Sequence, residues 1–136
     1  MNTGIIVDTC VWIEFFRKNE SEITHHLKSL LRERKVIMVG MVMAELLQGV
    51  KRPKEAVVVK EHLKKLPYLE ITREIWERAG EMNASLRSRG VTIPLSDLII
   101  AATALSGKLE VFTIDPHFEK VAGLGLHKWI AERTTL

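Results

Sequence analysis

The chain has a single cysteine, Cys10, among 136 residues. An internal disulfide is therefore excluded, and so is a zinc site built on cysteine. Such sparse cysteine usage suits a reducing compartment. Long hydrophobic runs are also missing. The longest, residues 98–105, is interrupted by Thr103 and falls well short of the ~20 residues needed to span a bilayer. The first twelve residues lack a basic stretch and include Asp8, so a secretory leader is not expected and a cytoplasmic location is. Aromatic residues make up only 6% of the chain, with no motif of the kind that stacks nucleic-acid bases. Prolines number four and do not cluster. With no repeat, low-complexity tract or linker, a single domain over residues 1–136 is expected.

Apolar residues account for 46% and charged residues for 27%, the balance of an ordinary globular protein. A chain of this size buries roughly two-thirds of its unfolded surface, so it needs no staple to fold. Lys and Arg total 20 against 17 Asp and Glu, a net charge of +3. That mild basicity permits a polyanionic partner without requiring one.

Hydrophobic patterning predicts alternating strands and helices. Residues 4–8 and 35–39 are short β-branched runs that suit strands buried on both faces. Residues 9–17 and 22–34 follow helical spacing, the latter with Ile23, Leu27, Leu30 and Leu31 on one stripe. Helices are also expected over 41–50 and 54–66, although the Val57-Val58-Val59 triplet in the second equally suits a strand. A short strand at 68–71 precedes a long helix at 72–89, with Thr72 as its N-cap and Gly90 at its end. Pro94 opens another helix that ends near Gly107. A strand at 110–114, a short helix from Asp115-Pro116 and an edge strand within 127–130 complete the chain. This order predicts an α/β fold with a mostly parallel central sheet, in which ligands bind beyond the carboxyl ends of the strands.

That rule directs attention to four acids. Asp8 and Asp115 end two strands, Glu45 lies early in the helix after the second strand, and Asp97 lies on the first turn of the Pro94 helix. Taken singly, each has a structural explanation: Asp8 and Asp115 are good N-caps, and a helix Glu is usually solvated. Asp97 is harder to explain that way, because it leads into Leu98-Ile99-Ile100-Ala101-Ala102, a helix apolar on every side. Acids converging on one rim repel one another and raise each other's pKa values. A divalent cation removes that cost. Oxygen-only ligands favour Mg²⁺ or Mn²⁺ over zinc, and such an ion activates water and clamps phosphoryl oxygens.

Val7-Asp8-Thr9-Cys10-Val11-Trp12, Ala44-Glu45-Leu46, Asp97-Leu-Ile-Ile-Ala-Ala102 and Thr113-Ile-Asp115-Pro-His-Phe118 occur in this order. As an ordered set spanning nearly the whole chain, they resemble the PIN-domain ribonucleases, and at this length the VapC-type toxins of toxin–antitoxin pairs. The resemblance implies a three-layer fold with about five strands in its sheet. It implies a metal-dependent endoribonuclease with Mg²⁺ (or Mn²⁺) held by Asp8, Glu45, Asp97 and Asp115. Thr9 and Thr113 would orient the acids. It further implies a small VapB-like antitoxin, whose tail often puts a basic side chain in the acidic pocket, and a homodimer. Cys10 departs from the family, whose members often carry Ser or Asn there.

Basic residues must flank an acidic pocket that takes RNA. Arg17 and Lys18, Lys51 and Arg52, and Arg87 and Arg89 are the candidates, against the alternative that they are ordinary solvated surface. His117 follows Asp115 and could contact substrate, but placement at the surface is expected; the adjacent His25 and His26 are expected on diverging helix faces, and Trp12, Trp76 and Trp129 in packing. Two rival readings are weighed. A non-catalytic RNA- or protein-binding module of the same fold is disfavoured because all four acids are present. Another Mg²⁺-dependent phosphohydrolase, such as a haloacid-dehalogenase-like phosphatase, is disfavoured because Asp8-Thr9-Cys10 lacks the Asp-x-Asp pattern.

Overall fold

A computed structural model describes residues 4–18 and 20–129. The β-branched run near the start forms β1 (Ile5–Val7), buried along its whole length. It leads into α1 (Thr9–Phe16), α2 (Glu22–Arg32) and β2 (Val36–Val39). Next come α3 (Gly40–Gln48), α4 (Pro53–Lys64) and β3 (Tyr68–Leu69). The remainder is α5 (Arg73–Ser88), α6 (Leu95–Gly107), β4 (Glu110–Phe112), a 3₁₀ turn (Pro116–Lys120) and β5 (Gly125–Leu126).

The strands make one sheet in the order β3-β2-β1-β4-β5, and each neighbouring pair is parallel. Helices flank it, as an α/β fold requires. The order places a topological switch between β1 and β4: the chain leaves β1 toward β2 on one side and leaves β4 toward β5 on the other. The crevice at such a point, beyond the carboxyl ends of the strands, is where open parallel sheets bind ligands. Ile5 pairs with Glu110, Ile6 with Val111 and Val7 with Phe112. The next residues in register, Asp8 and Thr113, therefore face each other at that crevice.

Local chemistry accounts for the helix starts. Ser21 accepts from the Thr24 amide and Thr72 from the Ile75 amide, each satisfying a donor the helix cannot. Pro53 occupies the first turn of α4, where its missing N–H costs nothing. That start, with helical context on both sides, carries the valine triplet into a helix: Val59 is buried, while Val57 and Val58 are exposed. In α6 every residue from Leu98 to Ala104 is buried, and Ile99 and Ala102 pack against Ile75 and Ala79 of α5. Buried Thr103 returns its hydroxyl to the Ile99 carbonyl at 2.7 Å.

Three expectations need correction. The edge strand is Gly125–Leu126, just before residues 127–130; Ile130 lies outside the described residues. Pairing with Glu110 and Val111 sets its position, and the His127 side chain then turns to Glu110. Trp76 is half exposed instead of packed, whereas Trp12 is buried and Trp129 rests partly on the core. β4 stops at Phe112, short of the expected 110–114, so Asp115 caps the 3₁₀ turn instead of ending a strand. α6 ends at Gly107 as expected, followed by Lys108 in the left-handed position (φ 55°). Glycine serves there for close approach, since a Cβ would lie 3.3 Å from the Leu109 side chain.

Candidate active site

Asp8 is 5% exposed at the carboxyl end of β1. Its Oδ1 accepts from the Thr9 amide at 2.8 Å, so it caps α1. Its Oδ2 accepts from the Thr113 hydroxyl at 2.7 Å and from the Cys10 thiol at 3.4 Å. Capping and site-building are thus not alternatives, because one oxygen serves each purpose.

From Asp8 the polar contacts run two ways. Toward α3, the Thr9 hydroxyl donates to Glu45 Oε1 at 2.7 Å. Toward the 3₁₀ turn, the Asp115 amide donates to Thr113 Oγ1 at 2.9 Å and the His117 amide to Asp115 Oδ1 at 2.9 Å. The His117 ring then closes on α6, with Nδ1 3.0 Å from Asp97 Oδ2 and 3.1 Å from Asp115 Oδ1. A single chain of contacts therefore joins Glu45, Thr9, Asp8, Thr113, Asp115, His117 and Asp97, drawn from several separate segments of the fold.

The electrostatics are unbalanced. Burial holds the Asp97 carboxyl above the usual carboxylate range; the His117 hydrogen bond opposes this, and the charges of Asp8 and Asp115 add to it. Burial, followed by the Asp8 charge, pushes the Cys10 thiol up to about 11. The site thus holds more negative charge than its one imidazole can balance.

Among the described residues, Asp97, Asp115 and His117 each offer one ligand atom, all within 4.8 Å of one another. A divalent cation fits this donor set, since it would relieve the crowding that raises the Asp97 carboxyl. Asp8 lies outside that tight group and is linked to it through Thr113, while Glu45 is linked to Asp8 through Thr9. The six candidate RNA contacts, Arg17, Lys18, Lys51, Arg52, Arg87 and Arg89, are all exposed, near the ends of α1, α3 and α5.

Sequence reasoning misses two residues here. His117 is expected at the surface, yet it bridges two acids while remaining 37% exposed. Its signal is local: Asp115 caps a turn so tight that residue 117 folds back beside it. Cys10 reads in the sequence as a departure from the family, yet its thiol reaches both Asp8 and Thr113.

Residues 5–124 match the PIN domain family. The chain belongs to that family. This PIN domain is similar to ribonuclease VapC11 of Mycobacterium tuberculosis, with 26% identity over 122 residues covering 87% of this chain and 91% of that protein. A VapC ribonuclease of Mycobacterium bovis is similar to the same extent. Among solved structures, DNA-bound VapBC from Salmonella typhimurium shares the fold with a TM-score of 0.79 at 21% identity, covering 93% of this chain and 98% of that one. VapC20 of Mycobacterium tuberculosis, described as a sarcin–ricin-loop-cleaving toxin, does so with a TM-score of 0.71 at 18% identity, covering 92% of this chain and 99% of that one. Among the described residues, no helix of this PIN domain is long and apolar enough to cross a membrane.

Proposed function

We propose that this PIN domain is a metal-dependent endoribonuclease, the toxin of a toxin–antitoxin pair. It acts as one domain over residues 1–136, in the cytoplasm. The observation that carries the reading is the Asp8–Thr113–Asp115–His117–Asp97 chain of contacts at the switch point, with Asp97 raised by burial and by its acidic neighbours. The ribonuclease names of its relatives support the same chemistry.

Asp8, Asp97 and Asp115 would hold Mg²⁺ or Mn²⁺, with Glu45 reaching the group through water. When bound, the ion would activate water for attack and stabilise the negative charge developing on the phosphoryl oxygens. The protein's own residues do the positioning. Thr113 fixes Asp8 and the Asp115 backbone together, and Thr9 ties Glu45 to α1. Asp115 would also orient the attacking water. The expected products carry a 5′-phosphate and a 3′-hydroxyl.

Arg17, Lys18, Lys51, Arg52, Arg87 and Arg89 would offset the repulsion of an acidic pocket for RNA, making affinity salt-dependent. A VapB-like antitoxin would silence the enzyme by placing a basic side chain among the acids, where low dielectric strengthens the pairing. Exposed Val57, Val58 and Trp76 offer apolar surface for a homodimer or for the antitoxin. The test is cleavage of structured RNA by purified protein with Mg²⁺ or Mn²⁺ and with chelator. Cleavage that persists in chelator, or in folded Asp8→Asn and Asp97→Asn variants, would overturn the reading.

A further inference from the structure

We propose that His117 is a ligand of the metal centre through Nδ1, alongside Asp97 and Asp115. This nitrogen shifts the centre's preference from Mg²⁺ toward Mn²⁺ and the heavier divalent transition ions. The inference rests on the reading that the site takes a divalent cation, and it adds a residue and a selectivity to that reading.

The distances carry the argument. Neighbouring ligands on an octahedral ion with bonds of about 2.1 Å lie about 3.0 Å apart. His117 Nδ1 is 3.0 Å from Asp97 Oδ2 and 3.1 Å from Asp115 Oδ1. A single Nδ1 proton serves one oxygen well and the other poorly, so a hydrogen bond explains one of these contacts better than both. An ion held by all three atoms explains the pair.

The nitrogen is also preorganised. The Asp115 amide is held by Thr113, the His117 amide by Asp115, and Phe118, the next residue, is buried in the core. The turn therefore presents the ring before any ion arrives. Asp97 is only 13% exposed, against 37% for His117 and 33% for Asp115, so solvent reaches the group from the side of the 3₁₀ turn. Mg²⁺ prefers oxygen and retains its waters, whereas imidazole suits the transition metals. An all-oxygen site would discriminate less.

The test uses Mn²⁺ alone as probe on the intact chain, with binding followed by electron paramagnetic resonance and Mg²⁺ affinity measured by competition. Wild type is expected to bind Mn²⁺ with a ¹⁴N coupling in its spin-echo modulation. His117→Ala and the bulkier His117→Gln should lose that coupling while keeping the wild-type circular dichroism spectrum; His127→Ala should retain it. In the two His117 variants Mn²⁺ affinity should fall by about tenfold or more, and Mg²⁺ affinity by less than about threefold.

Mn²⁺ bound without ¹⁴N coupling, or equal weakening of both metals in the His117 variants, would overturn the ligand role. In that case Mn²⁺ binding lost only in Asp97→Asn would leave the nuclease reading standing. No Mn²⁺ binding by wild type, or binding unchanged in Asp97→Asn, would remove the metal site itself.

Discussion

Two polar clusters in this protein are built from the same residue types and differ in charge. At the sheet edge, His127 Nδ1 lies 3.0 Å from Glu110 Oε1, and His127 Nε2 lies 2.8 Å from His26 Nε2. Both imidazoles stand edge-on to Phe112 at 5.5 and 5.6 Å. One carboxylate and two imidazoles close the proton count: His127 donates to Glu110 and accepts from His26, with tautomers assigned from the pattern. At the switch point, Asp97 and Asp115 share one imidazole, Asp8 adds a further carboxylate through Thr113, and Asp97 is held above its usual range. The edge cluster is complete as it stands and pins a two-residue strand to α2. The rim cluster carries surplus negative charge, which a divalent cation would balance. Uncompensated charge, more than the presence of acids, separates a site from a brace.

The largest expected effect breaks the comparison outright if it fails. Asp97→Asn and Asp8→Asn should lower RNA cleavage by at least about a thousandfold, since each removes charge that would hold the metal. His127→Ala should leave cleavage within about threefold. Loss of activity in folded His127→Ala would mean the edge cluster is no mere brace.

Cys10 reports on the rim from inside. With its thiol pushed up to about 11, from an ordinary 9.0, about one thiol in a thousand is ionised at pH 8, against about one in ten for the unfolded chain. Allowing for the greater nucleophilicity of the more basic thiolate, iodoacetamide should label native protein at least about tenfold more slowly than urea-unfolded protein. Asp8→Asn should narrow that gap. Equal rates would show that Asp8 and burial do not press on the thiol.

A smaller effect falls on the edge. His127→Ala removes a partner from both Glu110 and His26 and should cost about 1–2 kcal/mol in urea unfolding. A midpoint unchanged from wild type would deny the cluster its structural role.

Sequence legibility followed the range of the interactions involved. β1, the Thr72 cap and the Pro94 start were readable because a β-branched run, a side-chain cap and a fixed φ act within a few residues. The β5 position was not, because two residues carry no pattern of their own and β4 supplies the register. His26 and His127 lie 101 residues apart, and no local signal joins them. Within the rim, Asp8 was legible as a strand end in a parallel sheet and Asp115 as the cap before a proline. Asp97 stood out as a charge entering a buried helix. His117 looked like surface, whereas the tight 3₁₀ turn brings it back over its own cap.

The smallest effect tests the charge argument at its centre. Native Asp97 has a raised pKa, so its contribution to stability is fully present below the unfolded value and is lost as pH rises through the folded one. Above the folded value the wild-type chain has given it up, while an asparagine in its place would be neutral at every pH. Metal-free Asp97→Asn should melt a few degrees above wild type at pH 7. The variant forgoes the charge-assisted contact with His117, but burial is the larger cause of the shift, so the sign stays positive. The advantage should shrink as pH falls through the carboxylate range. Saturating Mn²⁺ should reverse it, raising wild type and leaving the variant unmoved. If Asp97→Asn melts lower than wild type in chelator at pH 7, the rim is no more strained than the edge.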